Sequence, residues 1–80
     1  MKFTQYFLYT RNRLDRANIR DEWIDCVIRQ PLRTEVQSDG RIRKWGMIVE
    51  EQKILRVILL ADGNTVHNSF FDRNFKEGKQ

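Results

Sequence analysis

Arg43, Arg56 and His67 are the residues from which a reaction could be built. They lie in "RIRKWGMIVE", "KILRVILLA" and "TVHNSFF", segments rich in β-branched and aromatic residues, so each reads as a strand whose side chains alternate between two faces. On that parity Arg41, Arg43 and Trp45 point one way, Arg56 shares a face with Ile54 and Ile58, and His67 shares one with Thr65, Ser69 and Phe71. Burying Ile42, Ile48, Leu55, Val57, Leu59, Val66 and Phe70 beneath helices then gathers Arg43, Arg56 and His67 on the opposite face, beside Trp45 and Phe71. Guanidinium groups can hold a phosphate and the charge that builds on it as a 2′-hydroxyl attacks in line, while imidazole moves a proton near neutral pH. Flat rings can stack bases. The chemistry suggested is metal-independent cleavage or binding of RNA.

A structural explanation competes at each position. Arg56 is a permanent charge amid aliphatic residues, where burial without a partner is unfavourable, and an ion pair with Glu35 or Asp72 would account for it. A single histidine in a strand is more often structural than catalytic. Asp39 and Asp62 each precede a glycine, which makes them turn residues first. No glycine-rich phosphate loop, Ser-His-Asp set, paired-acid pattern or acidic calcium loop is present.

Charge sharpens the question of partner. The 80 residues carry fifteen basic and eleven acidic side chains for a net charge of +4, and ten of the basic residues are arginine. Arginine presents a planar fork of donors that fits phosphate and carboxylate, whereas lysine is a flexible point charge. A polyanion, either nucleic acid or an acidic protein, fits this balance as a partner; arginine stems that cover apolar surface while their heads stay in water account for it equally. "YTRNRLDRANIR" concentrates Arg11, Arg13, Arg16 and Arg20. Here Leu14 and Ala17 are expected to pack and Arg16 to pair with nearby acids, which leaves Arg11 and Arg13 to meet phosphate. Cys26 and His67 are the sole cysteine and histidine, too few for a disulfide or a usual zinc site, so neither metal nor cofactor is expected.

These residues need a scaffold. "FTQYFLY" reads as an N-terminal strand, and Thr10 as the cap of a short helix over "RNRLDRAN". "IRDEWIDCVIRQP" is the clearest helix: Ile19, Trp23, Ile24, Val27 and Ile28 fall on one face, Asp21 and Glu22 near the positive end, Arg29 near the negative end, and Pro31 stops it. Asn18 and Asp21 are candidates for its cap. "LRTEVQ" and the three strands above, separated by "SDG", a charged turn at Glu51–Gln52 and "DGN", make an antiparallel meander. The expectation is one α+β domain over 1–80, in which an N-terminal strand and two helices pack on a curved antiparallel sheet of four to five strands, with 76–80 frayed. With no apolar run of about 18 residues and no signal-peptide pattern, it is expected to be cytoplasmic and to have no membrane partner.

The phrases "IRDEWIDCVIRQP", "LRVILL" and "TVHNSFFDR" resemble a family of small bacterial and cyanobacterial domains related to the RelE-like and BrnT-like ribonuclease toxins of toxin-antitoxin pairs. The resemblance covers nearly the whole chain. It implies a curved sheet that offers a basic face to messenger RNA and an antitoxin that covers that face. It also implies a site of scattered Arg, Lys and His residues: Arg43, Arg56 and His67 as the catalytic set, with Arg73 as a further phosphate contact. Many relatives carry a histidine near the first helix, where this chain has Arg11 to Arg13, and the lysine-rich helix of RelE has no counterpart. Alongside Arg11, Arg13, Arg41, Trp45 and Arg73 as RNA contacts stands the alternative of a non-catalytic assembly domain that meets a protein partner or a second copy of itself.

Overall fold

Thr4 decides the shape of the N-terminus. Its hydroxyl accepts from the Phe7 backbone N–H and so caps a helix, α1 (Gln5–Thr10), where a strand was expected. Only Lys2–Phe3 forms a strand, β1. The aromatic run favours a strand locally, but helical spacing lets Phe3, Phe7 and Thr10 face inward together: Phe7 and Thr10 are buried and Phe3 packs on the core. The computed structural model describes residues 1–13 and 18–76. Residues 11–13 form a turn and bend, and the rest of the helix expected there, with Leu14, Arg16 and Ala17, lies outside the described residues.

The second helix, α2 (Asp21–Arg29), begins with its acids in the first turn and ends with Arg29 in the last, as its charge pattern predicts. Its N-cap is Arg20, without a side-chain capping bond, so the expected Asn18–Asp21 cap does not form. Ile24 and Val27 are buried, and Trp23 and Ile28 pack against the same core.

Strands β2 (Arg33–Val36), β3 (Ile42–Ile48), β4 (Lys53–Leu59) and β5 (Thr65–Phe71) follow, each antiparallel to the one before. β1 joins the far side parallel to β5, giving the order β1-β5-β4-β3-β2. The result is an α+β fold with a five-stranded mixed sheet, not a wholly antiparallel one: a chain that passes through α1 and α2 before re-entering the sheet is not bound to the antiparallel direction a hairpin imposes. Between β3 and β4 a 3₁₀ turn (Val49–Glu51) ends on Gln52 at φ 54°.

The core lies between the helices and one face of the sheet, where Leu55, Val57, Leu59 and Val66 are fully buried. Gly46 lets α2 sit directly on β3, since a Cβ there would stand 2.8 Å from Val27 Cγ2. Lys44, on this same buried side, reaches past the core to donate to the Ile28 carbonyl at 2.9 Å, satisfying an orphan acceptor at the negative end of α2. No helix among the described residues is long and apolar enough to cross a membrane.

Candidate nucleic-acid interface

The face away from the helices is organised by two rows of paired residues. In the first, β3, β4 and β5 place Trp45, Arg56 and Phe70 side by side. The Arg56 guanidinium lies 5.4 Å from the Trp45 ring centre and 5.2 Å from that of Phe70, within cation–π range of both. Arg33 on β2 pairs opposite Trp45, with its guanidinium 5.7 Å from that ring. In the second row Glu35, Arg43, Ile58 and Asn68 are aligned. Glu35 faces two cations at once, Arg43 at 3.8 Å and Arg33 at 3.6 Å.

The chain beyond β5 folds back onto the first row. Asp72 Oδ2 accepts from Trp45 Nε1 at 2.9 Å and stands 3.7 Å from Arg56 Nη1. Its other oxygen accepts from the Asn74 backbone N–H, turning the chain so that Phe75 stacks on Trp45 at 5.7 Å between ring centres and 28° between planes. Trp45 is left only 5% exposed, a buried indole on the side of the sheet opposite the main core. Arg33, Glu35, Trp45, Arg56, Asp72, Asn74, Phe75 and Lys76 line a depression of about 350 Å³.

Among the described residues three guanidinium groups thus meet two carboxylates here, and for Arg43 and Arg56 the pairing is incomplete. The Nε atoms of Arg43 and Arg56 are both buried without a hydrogen-bond acceptor. A buried donor left unmatched is disfavoured by about 1–3 kcal/mol, so each marks a place where an additional acceptor would be welcome. The arrangement can hold an anion beside an aromatic ring.

The expected convergence of Arg43, Arg56 and His67 is only partly realised. Ile58 pairs with Asn68 and Leu59 with Val66, so His67 is the extra residue of a β-bulge. Beyond it the parity of β5 reverses. Phe70 therefore joins the open face beside Arg56, and Phe71 turns to the helix side against Trp23, the opposite of the expected assignment. His67 is held at the β1 edge, with Nδ1 3.1 Å from the Thr4 hydroxyl and its ring stacked on Tyr6 at 4.8 Å. No hydrogen bond or ring contact among the described residues joins it to Arg43 or Arg56. Partial burial, helped by the positive charge of Arg41, holds its pKa below the ordinary histidine value.

The other expected RNA contacts scatter. Arg11 lies over Phe3 and Phe7 and pairs with Asp21, so it braces α1 against α2 and is not free for phosphate. Arg13 is exposed in the bend that follows α1. Arg41 is exposed beside Asp39 in the turn before β3. Arg73 is exposed and borders a second depression with Lys53, Ile54, Phe70 and Phe71. Sequence reasoning missed Arg33, Glu35, Phe70 and Phe75 as parts of one site. The signal available for Phe75 was its place three residues after Asp72, just past a strand that carries the site.

No protein-family model matches the chain, and no curated protein or solved structure matches it significantly. Among the described residues no group of three or more His, Cys, Asp or Glu side chains could hold a metal ion.

Proposed function

We propose that the sheet face around Trp45, Arg43 and Arg56 binds single-stranded RNA, the two arginines contacting phosphate and the aromatic row supporting bases. The observation that carries this reading is the pair of buried, acceptor-free Nε groups on Arg43 and Arg56, flanked by Trp45 and Phe70. Single-stranded RNA offers both things such a face lacks, acceptor oxygens at regular intervals and unstacked rings. The RelE-like and BrnT-like resemblance points the same way. Cleavage is a further step that would need His67 as acid or base, and its contacts with Thr4 and Tyr6 favour a structural role for it.

The test is fluorescence anisotropy with an end-labelled oligouridylate across a salt series. Binding should weaken as salt rises, with a logarithmic slope of about −0.7 for each phosphate contacted. Arg43→Gln and Arg56→Gln should each weaken binding and flatten that slope while far-UV circular dichroism is unchanged. Affinity independent of salt, or unaltered in both variants, ends the proposal. If expression of the chain also arrests bacterial growth and His67→Ala relieves the arrest, the function extends to RNA cleavage, and a protein that suppresses the arrest by covering this face would be the antitoxin.

A second reading has one observation in its favour: β2 is an edge strand whose Val36 is 70% exposed. An open edge can pair with a second copy of the chain. Sedimentation showing a dimer that Val36→Lys dissociates would support assembly as the role of this domain.

A further inference from the structure

The geometry points to a nucleotide subsite on Trp45 and Arg56 that the chain fills with its own side chains, Phe75 standing in for a base and Asp72 for the phosphate beside it. The inference rests on the RNA-binding reading and adds to it which unit is bound and what must leave first.

Consider what Phe75 does. It stacks on the indole at 5.7 Å and 28°, an offset arrangement open to any flat ring. Arg33 lies 5.2 Å from the Phe75 ring and 5.7 Å from Trp45, so one cation spans the stack. A nucleobase in place of Phe75 would keep both contacts. Stacking on an aromatic side chain tolerates every base, because each has a π-face.

Asp72 is an imperfect occupant of its own position. Its Oδ2 takes the Trp45 N–H at 2.9 Å and so stands at 3.7 Å from Arg56, beyond ordinary hydrogen-bond distance, while Arg56 Nε finds no acceptor. Its Oδ1 is turned to the Asn74 backbone. The two oxygens of the carboxylate are therefore spent on Trp45 and on the turn. A phosphate entering here brings free oxygens to the guanidinium and can bind it with two parallel bonds. The depression of about 350 Å³ that these residues already line falls within the range of about 300–1,000 Å³ usual for small-molecule sites. The Asp72 backbone N–H donates to the Ile54 carbonyl at 2.9 Å, which anchors the segment there and places the hinge for releasing Phe75 after Asp72.

The experiment uses the full chain as wild type, Phe75→Ala and Asp72→Asn. The probes are a labelled eight-nucleotide oligouridylate and an abasic ribose-phosphate oligomer of the same length, read by anisotropy. Phe75→Ala should tighten oligouridylate binding by on the order of tenfold, one base-stacking step, and leave the abasic oligomer unchanged. Asp72→Asn keeps an acceptor for Trp45 but removes the competing charge, so it should tighten both probes. In a Trp23→Phe background, bound oligouridylate should quench Trp45 fluorescence more strongly once Phe75 is removed. If wild type binds RNA through Arg43 and Arg56 but Phe75→Ala leaves affinity unchanged or weaker, the subsite is overturned and the RNA-binding reading survives. Should Phe75→Ala fail to fold, Asp72→Asn decides alone, and unchanged or weaker binding overturns the subsite. Absence of RNA binding by all three proteins at low salt overturns both.

Discussion

The Trp45 indole N–H donates to the Asp72 carboxylate at 2.9 Å and so ties the middle of β3 to the first residue beyond β5, across the intervening β4. Together with the Asp72 backbone N–H, which donates to the Ile54 carbonyl, this bond fixes the end of the last strand over the face that carries Arg56. Trp45→Phe deletes the donor and also replaces the buried indole with a smaller ring. A hydrogen bond to a charged group contributes about 1.5–3 kcal/mol and the lost packing adds to it, so urea denaturation should show a loss of at least about 1.5 kcal/mol. A change of less than about 0.3 kcal/mol would show that the bond contributes nothing beyond what water offers.

Gly46 and Val27 are in mutual steric register. Gly46→Ala should destabilise the fold by about 1–3 kcal/mol, because the new methyl meets the Val27 branch at 2.8 Å. Val27→Ala, which opens a cavity when made alone, should make room for it. The double variant is expected to be more stable than the sum of the single losses predicts, and a denaturant double-mutant cycle measures that coupling. Simple additivity would mean that helix α2 shifts instead of clashing.

His67 gives stability a dependence on mildly acidic pH. Its pKa is lowered in the fold, chiefly by burial and secondly by Arg41, so the folded protein binds that proton less readily than the unfolded chain. The neutral ring therefore contributes stability that is complete above the ordinary value of 6.5 and is lost as pH falls through the lower folded value. Melting temperature should drop between neutral pH and about pH 5, and His67→Gln should flatten that part of the profile. An unchanged profile in the variant would assign the slope to other groups.

Asp62 acts at a lower pH. The Thr65 hydroxyl first, and then the backbone N–H groups of Asn64 and Thr65, hold its pKa down to about 2 from 3.8. Stability from the ionised carboxylate is present above 3.8 and disappears as pH falls toward 2. Titration of the Asp62 carboxyl carbon by NMR should give a midpoint near 2, and Thr65→Val should raise it. A midpoint at 3.8 in the wild-type protein would contradict the turn geometry.

Arg11→Ala should lower stability through lost packing on Phe3 and Phe7, by about 0.5–1 kcal/mol, the size of an exposed cation–π contact. Thermal melts of Arg11→Ala against Arg13→Ala compare a bracing arginine with an exposed one. Equal effects would remove the distinction drawn between them.

These side chains also show what was legible in the chain alone. Helix α2 and strands β2 to β5 follow from periodic apolar spacing, Gly-containing turns and Pro31, all local signals. The N-terminal segment departs from its local signal: its aromatic residues favour a strand, while one threonine cap and the packing of Phe7 make it a helix. Arg56 and Asp72 could be named as candidate partners because a charge amid aliphatic residues demands one. Phe75 could not be placed on Trp45, since the contact joins residues thirty positions apart with no period to announce it. Nor could the bulge be read, because a strand with an extra residue has the same composition as one without.

That extra residue makes β5 a strand with two phases. Ahead of it Val66 looks toward the helices; after it Ser69 and Phe71 do, and Phe70 is handed to Arg56. Deleting His67 would join Val66 directly to Asn68 and remove the bulge, leaving Ser69, Phe70 and Phe71 opposite Val57, Arg56 and Leu55 as they now stand. A chain one residue shorter here would thus keep the arginine face in phase and lose the contacts that His67 makes with Thr4 and Tyr6, so the inserted residue ties the sheet to the first helix without setting which rings meet the arginines.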